Sequence, residues 1–237
     1  MTQQLPKIDI IIPAYKAQNT ILRTLSSIAL QEIVDDLEVT IVNDADGIGY
    51  QKFVDMFSPF FKIREIVMEK NGGPGDARQY GIDHTENPLI TFIETDDTFS
   101  GAFALKVLRM QLLMEPYNSC CFGQFLEDQQ ITYIGHPNDT VWMFGKLYKR
   151  DFIKKYDIHF LPGSRANEDN GFNMLCKLYS NQNEQIKFIQ DISKVFMIIF
   201  SFFKFISPFI FRKFDTTSII IIAIISYFIT SIILHCL

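Results

Sequence analysis

Leu89-Ile90-Thr91-Phe92-Ile93-Glu94-Thr95-Asp96-Asp97 decides how this chain is read. Five apolar or β-branched residues form a short buried strand, and three carboxylates in the next four positions end it. Like charges gathered this closely repel one another unless a cation relieves them. Hard divalent ions such as Mg²⁺ or Mn²⁺ take oxygen ligands and bridge to substrate phosphates. Glu94, Asp96 and Asp97 are therefore candidate metal ligands. The plainer alternative is an acidic turn that caps the next helix.

Working outward, strand and helix signals alternate. Residues 8–12 are a buried β-branched run ended by Pro13. Asn19 is placed to cap a helix over residues 20–31, with Ile21, Leu25 and Ile28 on one face. Further strands are expected over 37–42 and 63–68, and helices over 75–84 and 102–114. This βαβα rhythm predicts a mainly parallel, mixed sheet flanked by helices on both faces. Ligands of such sheets bind beyond the carboxyl ends of the strands. From about 116 to 180 the pattern loosens. Short strands are expected at 119–125 and 131–134, a helix near Lys149, and another after Glu168-Asp169.

Other polar groups follow the strands. In Asn43-Asp44-Ala45-Asp46-Gly47, an aspartate can accept from a base or ribose, or form a plain Asx turn. In Asn71-Gly72-Gly73-Pro74-Gly75-Asp76-Ala77-Arg78, the glycines let the backbone approach a ligand, and a helix start offers N–H groups to anions. Arg78 would reach a phosphate or lock the acidic cluster. It is no P-loop, because Gly-Lys-Ser/Thr is missing. Glu168-Asp169 opens a helix, where acidic residues suit the macrodipole, and where a carboxylate can also serve as a general base toward an acceptor hydroxyl. Trp142, His136 and Lys146 are lesser candidates, and a lone Trp is more often core than a sugar platform.

The 237 residues carry 22 basic and 27 acidic side chains, a net charge of −5, which lacks the basic footprint of a nucleic-acid binder. The cysteines at 120, 121, 176 and 236 show no zinc spacing and read as reduced thiols of a cytosolic protein. No secretory signal is expected at the N-terminus. Composition changes near residue 195. Residues 195–211 are rich in Phe and Ile but contain Lys204 and Pro208, and residues 218–234 carry no charge. The second run would span roughly 26 Å as a helix, near the ~30 Å hydrocarbon core. If it alone crosses, Arg212 and Lys213 stay on the cytoplasmic side. The expected organisation is a catalytic domain over 1–190 and a hydrophobic tail over 195–237, the latter a candidate anchor to the cytoplasmic face of a membrane.

Ile10-Ile11-Ile12-Pro13-Ala14-Tyr15, Val42-Asn43-Asp44, the stretch from Asn71 to Gly81, Glu94-Thr95-Asp96-Asp97, Gly145-Lys146-Leu147-Tyr148-Lys149-Arg150 and Glu168-Asp169 occur in this order. Together, over about residues 7 to 180, they resemble the family 2 glycosyltransferases, which have the GT-A fold. The resemblance implies a nucleotide-diphospho-sugar donor, with UDP favoured, a glycan or other hydroxyl acceptor, and Mn²⁺ or Mg²⁺ as cofactor. It places Pro13 and Tyr15 on the nucleotide pocket, Asp44 on the base, Gly73 and Arg78 on the donor side, and Asp96 between ribose and metal. Asp97 would complete the metal site. Asp169, with Glu168 beside it, would be the base of an inverting displacement. Glu94 stands where the family usually begins Asp-x-Asp-Asp, and Asn43 replaces a frequent Asp. Gln-x-x-Arg-Trp, the mark of processive synthases, is absent, so transfer of a single sugar is expected. Two alternatives are a nucleotidyltransferase and a non-catalytic or truncated membrane-associated product. The first would carry a glycine-rich basic loop where this chain has Pro13-Ala14-Tyr15-Lys16.

Overall fold

The computed structural model describes residues 5–123, 140–164, 166–183 and 185–188. All belong to one unit, Met1–Gln190. The elements run β1 (Ile8–Ala14), α1 (Ile21–Ala29), β2 (Leu37–Asn43), α2 (Gln51–Phe57), β3 (Lys62–Val67), α3 (Pro74–Asp83), β4 (Leu89–Phe92) and α4 (Ala104–Leu113). They continue with β5 (Asn118–Phe122), β6 (Lys146–Lys149), α5 (Arg150–Lys155), α6 (Glu168–Asn183) and β7 (Gln185–Phe188).

Among the described residues the strands form one sheet in the order β3-β2-β1-β4-β6-β5-β7. β3, β2, β1 and β4 are mutually parallel, β6 runs antiparallel to both β4 and β5, and β7 is parallel to β5. The expected mixed, mainly parallel α/β architecture is what the chain adopts.

β1 shows why the sheet is covered on both faces, since all seven of its residues are buried. Side chains alternate across a strand. Ile8, Ile10 and Ile12 pack with Ile21, Leu25 and Ile28 of α1 and with Leu105, Leu108 and Leu112 of α4. Ile11 joins the opposite core with Ala77 and Ile82 of α3, Phe152 and Ile153 of α5 and Phe172 of α6. A Cβ at Gly81 would lie 2.4 Å from Ile11 Cγ2, so α3 reaches the sheet only because this residue has no side chain. Asp9, on the same buried strand, accepts from Arg150 and Asn87 at 2.8 Å. Arg150 also donates to Ile82, Thr85 and Asn87, so the buried pair is fully hydrogen-bonded and ties α5 to β1 and α3.

Several local expectations shift. Asn19 does not cap α1: Thr20 is the N-cap, without a side-chain cap bond. The helix ends at Ala29, and Gln31 instead bridges Ser27 and Gly101 while accepting from Leu105. The strand expected at 119–125 runs Asn118–Phe122. α2, β6 and β7 are not among the expected elements, α2 being short, β6 having lysines at both ends and β7 holding only four residues. Cys120, Cys121 and Cys176 are buried. The strand expected at 131–134, His136, Cys236 and the tail over 195–237 lie outside the described residues. Among those described, no helix is long and apolar enough to cross a membrane.

Candidate active site

β1, β2 and β4 are parallel, so the loops that follow them gather at one edge of the sheet. Asp44 follows β2 and is 3% exposed. Its carboxylate accepts from the N–H groups of Gly72 (2.7 Å) and Gly73 (2.9 Å) and from the Asn71 amide (2.9 Å). Asp44 was expected on the nucleotide base. It sits at the expected strand end, but its oxygens hold the loop before α3, and a base would have to share lone pairs already engaged. Gly73 has φ 90°, in the left-handed region, and Pro74 then opens α3 with φ preset for a helix. Pro13 is buried in β1 opposite Val42, whereas Tyr15 is half-exposed just beyond the strand.

Asp46 was not among the expected site residues, yet it fastens the neighbouring loops. It accepts from the backbone N–H of Lys16, the Gln18 amide, the backbone of Ile48 and the Tyr50 hydroxyl, at 2.8–3.0 Å. Burial opposes its charge, but these donors hold its pKa well below the usual carboxylate range. The bond to Ile48 is the Asx turn legible in sequence. The bonds to Lys16 and Gln18 cross 30 and 28 residues and had no local signal.

The acidic turn after β4 is held by its backbone. Thr24 of α1 donates to the carbonyls of Asp97 (2.8 Å) and Glu94 (3.3 Å), and Arg23 donates to that of Asp96. The side chains diverge. Glu94 pairs with Arg78 at 2.5 Å, Asp96 is exposed, and Asp97 is half-buried. Burial, Asp96 and Glu94 push the Asp97 carboxyl up to about 6, only partly offset by Arg23. Among the described residues no three acidic, His or Cys side chains converge on one metal position. Glu94 is thus separated from the expected ligand set by its ion pair. Asp96 and Asp97 keep excess negative charge, and such a pair suits a Mg²⁺ or Mn²⁺ ion whose other ligands are phosphate oxygens and waters.

Arg78 connects this turn to α6. Its side chain is 4% exposed. Nη2 binds Glu94, while Nη1 binds Asp169 at 2.5 Å and Glu168 at 3.2 Å. The guanidinium also lies 5.7 Å from the Phe160 ring centre. Burial alone would weaken the Arg78 charge, but the fields of Glu94, Asp169 and Glu168 raise its pKa. α3 is seated for this contact: Asp76 accepts from the N–H of Gly163 (2.9 Å), and Gln79 from that of Phe160 (3.0 Å). A Cβ at Gly75 would come within 3.0 Å of Glu168 Cγ, so its absence lets α6 begin there.

Burial pushes the Asp169 carboxyl up to about 6; Glu168 and Glu94 act in the same direction, against Arg78 and Lys146. The first turns of α6 are pinned by Asn170, which accepts from Thr140 (2.6 Å), and by Asn173, which donates to the carbonyls of Thr140 and Trp142. Lys146 is buried in β6 and donates to the Trp142 carbonyl. Trp142, read from sequence as more often core, is 47% exposed and stacks on Phe144. The structure therefore brings Glu94, Arg78, Glu168 and Asp169 into one charged cluster: Arg78 locks the acidic turn through Glu94, one of the two roles expected for it, while its bonds to Glu168 and Asp169 had no local signal.

Comparison with known proteins agrees with this architecture. Poly(ribitol-phosphate) beta-N-acetylglucosaminyltransferase TarS of Staphylococcus aureus (strain MW2) is 25% identical over 191 residues, covering 75% of this chain and 33% of TarS. Succinoglycan biosynthesis protein ExoO of Rhizobium meliloti (strain 1021) is 32% identical over 95 residues, covering 40% of this chain and 27% of ExoO. The chain thus spans a third or less of these two relatives. Among solved structures, S. aureus TarS 1-349 in complex with UDP-GlcNAc superposes with a TM-score of 0.67 at 21% identity, over 78% of this chain and 56% of that one. Mannosyltransferase PcManGT from Pyrobaculum calidifontis, in complex with GDP-Man and Mn²⁺, superposes with a TM-score of 0.62 at 16% identity, over 80% and 56%. The shared architecture is the GT-A fold. The family model described as Glycosyl transferase family 2 matches residues 9–166, well over half of the 237, and the chain belongs to that family.

Proposed function

We propose that this chain moves a single sugar from a nucleotide-diphospho-sugar, UDP-linked by preference, to a hydroxyl of a glycan or similar acceptor, with inversion at the anomeric carbon. The observation that carries the reading is Asp169. It is a half-buried carboxylate with a pKa of about 6, linked by one arginine to the acidic turn after β4. A base of that strength is ionised at neutral pH and still takes a proton readily. The acceptor oxygen bonds to the anomeric carbon while its proton passes to Asp169. The bond from that carbon to the diphosphate breaks on the opposite side.

Negative charge grows on the departing diphosphate. Mn²⁺ or Mg²⁺ at Asp96 and Asp97 would supply the counter-charge when bound. The N-terminus of α3 adds a positive dipole end behind Gly73. Pro13 and Tyr15 form the nucleotide side, and Asp44 keeps the Gly72-Gly73 loop closed behind it. The donor preference is supported by the UDP-GlcNAc and UDP complexes of TarS. We further propose that the domain over 1–190 works in the cytoplasm, with the tail over 195–237 as its anchor to the inner membrane face. The test is a binding screen of UDP- and GDP-sugars with Mn²⁺ on the full chain, followed by NMR of the product's anomeric configuration. A product that retains the donor's configuration overturns the inverting displacement.

A further inference from the structure

We propose that Arg78 is a positioning residue for the base, its guanidinium acting as a buried clamp that orients Asp169 and ties it to the acidic turn after β4. This rests on the reading of Asp169 as the base.

The geometry supports a clamp over a phosphate ligand. Arg78 is 4% exposed, and both of its terminal nitrogens are engaged by carboxylates, Glu94 on one and Asp169 with Glu168 on the other. Its Nε is the one guanidinium nitrogen without a hydrogen-bond partner among the described residues, and it is buried, so a phosphate would have to reach a group already surrounded by three carboxylates that repel it. Its Cα cannot drift, because α3 is pressed on Ile11 at Gly81 and tied to 160–163 through Asp76 and Gln79. A planar fork that serves two partners at fixed angles is a task for arginine, whereas lysine is a single point charge.

Among the described residues, Asp169 has few other sources of positive charge. The titratable and charged groups that face it are Arg78 from α3, Glu94 after β4, Glu168 on its own helix, and Lys146 and Tyr148 from β6. Of these, Arg78 and Lys146 favour its anion, and only Arg78 bonds to it in the described structure. Without Arg78, Glu94 and Glu168 would act on a half-buried carboxylate, with Lys146 as the remaining cation among the described residues. Asp169 would then ionise at higher pH, and its carboxylate would lose the bond that aims it.

The experiment compares R78Q, R78K, D169N and R78Q/D169N with the wild-type chain, reading kcat against pH and donor Kd by calorimetry with Mn²⁺. The acid limb of R78Q should move up by about 1–3 pH units, the usual effect of losing an adjacent cation. R78K should return the limb toward wild type, since it restores charge, while kcat stays reduced. R78Q should add little to the loss already caused by D169N, because residues that act as a unit are not additive. Donor Kd should hold. An unmoved acid limb with donor binding weakened by about tenfold or more, the scale of a lost arginine–phosphate contact, overturns the clamp in favour of a donor ligand. Multiplicative losses in the double variant overturn it too. If R78Q fails to fold, R78K and R78K/D169N carry the same comparison: the clamp then requires a lowered kcat, an unchanged Kd and non-additivity. If D169N retains wild-type turnover, the base assignment itself has failed, a result separate from either outcome for Arg78.

Discussion

Arg78 Nη1 donates to Asp169 Oδ1 at 2.5 Å across 91 residues of chain. That bond joins α3, which follows the Gly72-Gly73 loop, to α6, which carries the proposed base. The charge balance around it sets the chemistry available at neutral pH.

Asp169→Asn should lower kcat by about two to four orders of magnitude, the range for losing a general base, with donor Kd little changed. In the wild-type enzyme kcat should fall as pH drops through about 6, where Asp169 takes up a proton. A pH–rate profile on saturating donor checks both. Loss of donor affinity with turnover preserved would remove Asp169 from this role.

Asp97 should trade stability for function. Its folded pKa of about 6 lies above the ordinary 3.8, so ionising it opposes folding. The stability it allows is complete below about pH 4 and is lost as pH rises through about 6. Asp97→Asn should therefore melt at a higher temperature than wild type at pH 7.5 in chelator, with the gap closing by pH 4. Asp97→Ala should abolish transfer and weaken donor binding in Mn²⁺. Thermal melts with and without Mn²⁺ read the first effect, and calorimetry reads the second. Near-wild-type turnover of Asp97→Ala would discard the metal assignment.

Asp44→Asn should destabilise the chain by about 1–3 kcal/mol, the cost of mismatching buried hydrogen-bond partners. An asparagine brings its own N–H₂ against the donors of Gly72, Gly73 and Asn71. Donor affinity should fall with it, because the loop no longer closes. Urea melts and donor titration measure the pair of effects. A variant that keeps full stability while losing nucleotide discrimination would instead place Asp44 on the base.

The tail over 195–237 is proposed to anchor the chain, so the full-length protein should stay with membranes through a carbonate wash. Recovery in the supernatant would rule out a spanning segment. Labelling of residue 212 from outside the cell would replace one crossing by a hairpin.

The sequence by itself determined what is written locally. β1 and β4 were legible because a buried parallel strand is a short β-branched run. The acidic turn at Glu94–Asp97 and the pair Glu168-Asp169 were legible because charge clusters at element ends are conspicuous. The sheet's class followed from the alternation of strands and helices. Tertiary structure decided what depends on distant partners. β6 slips antiparallel between β4 and β5, an internal position that four residues with lysines at both ends do not announce. Asp44 and Asp46 stand two residues apart with similar local surroundings, yet one holds the loop before α3 and the other the loop after β1. Glu94 stands with Asp96 and Asp97 in sequence but turns to Arg78 in space. A carboxylate's partner is set by which cation the packing of α3 and α6 brings within hydrogen-bond reach, and residue order does not encode that distance.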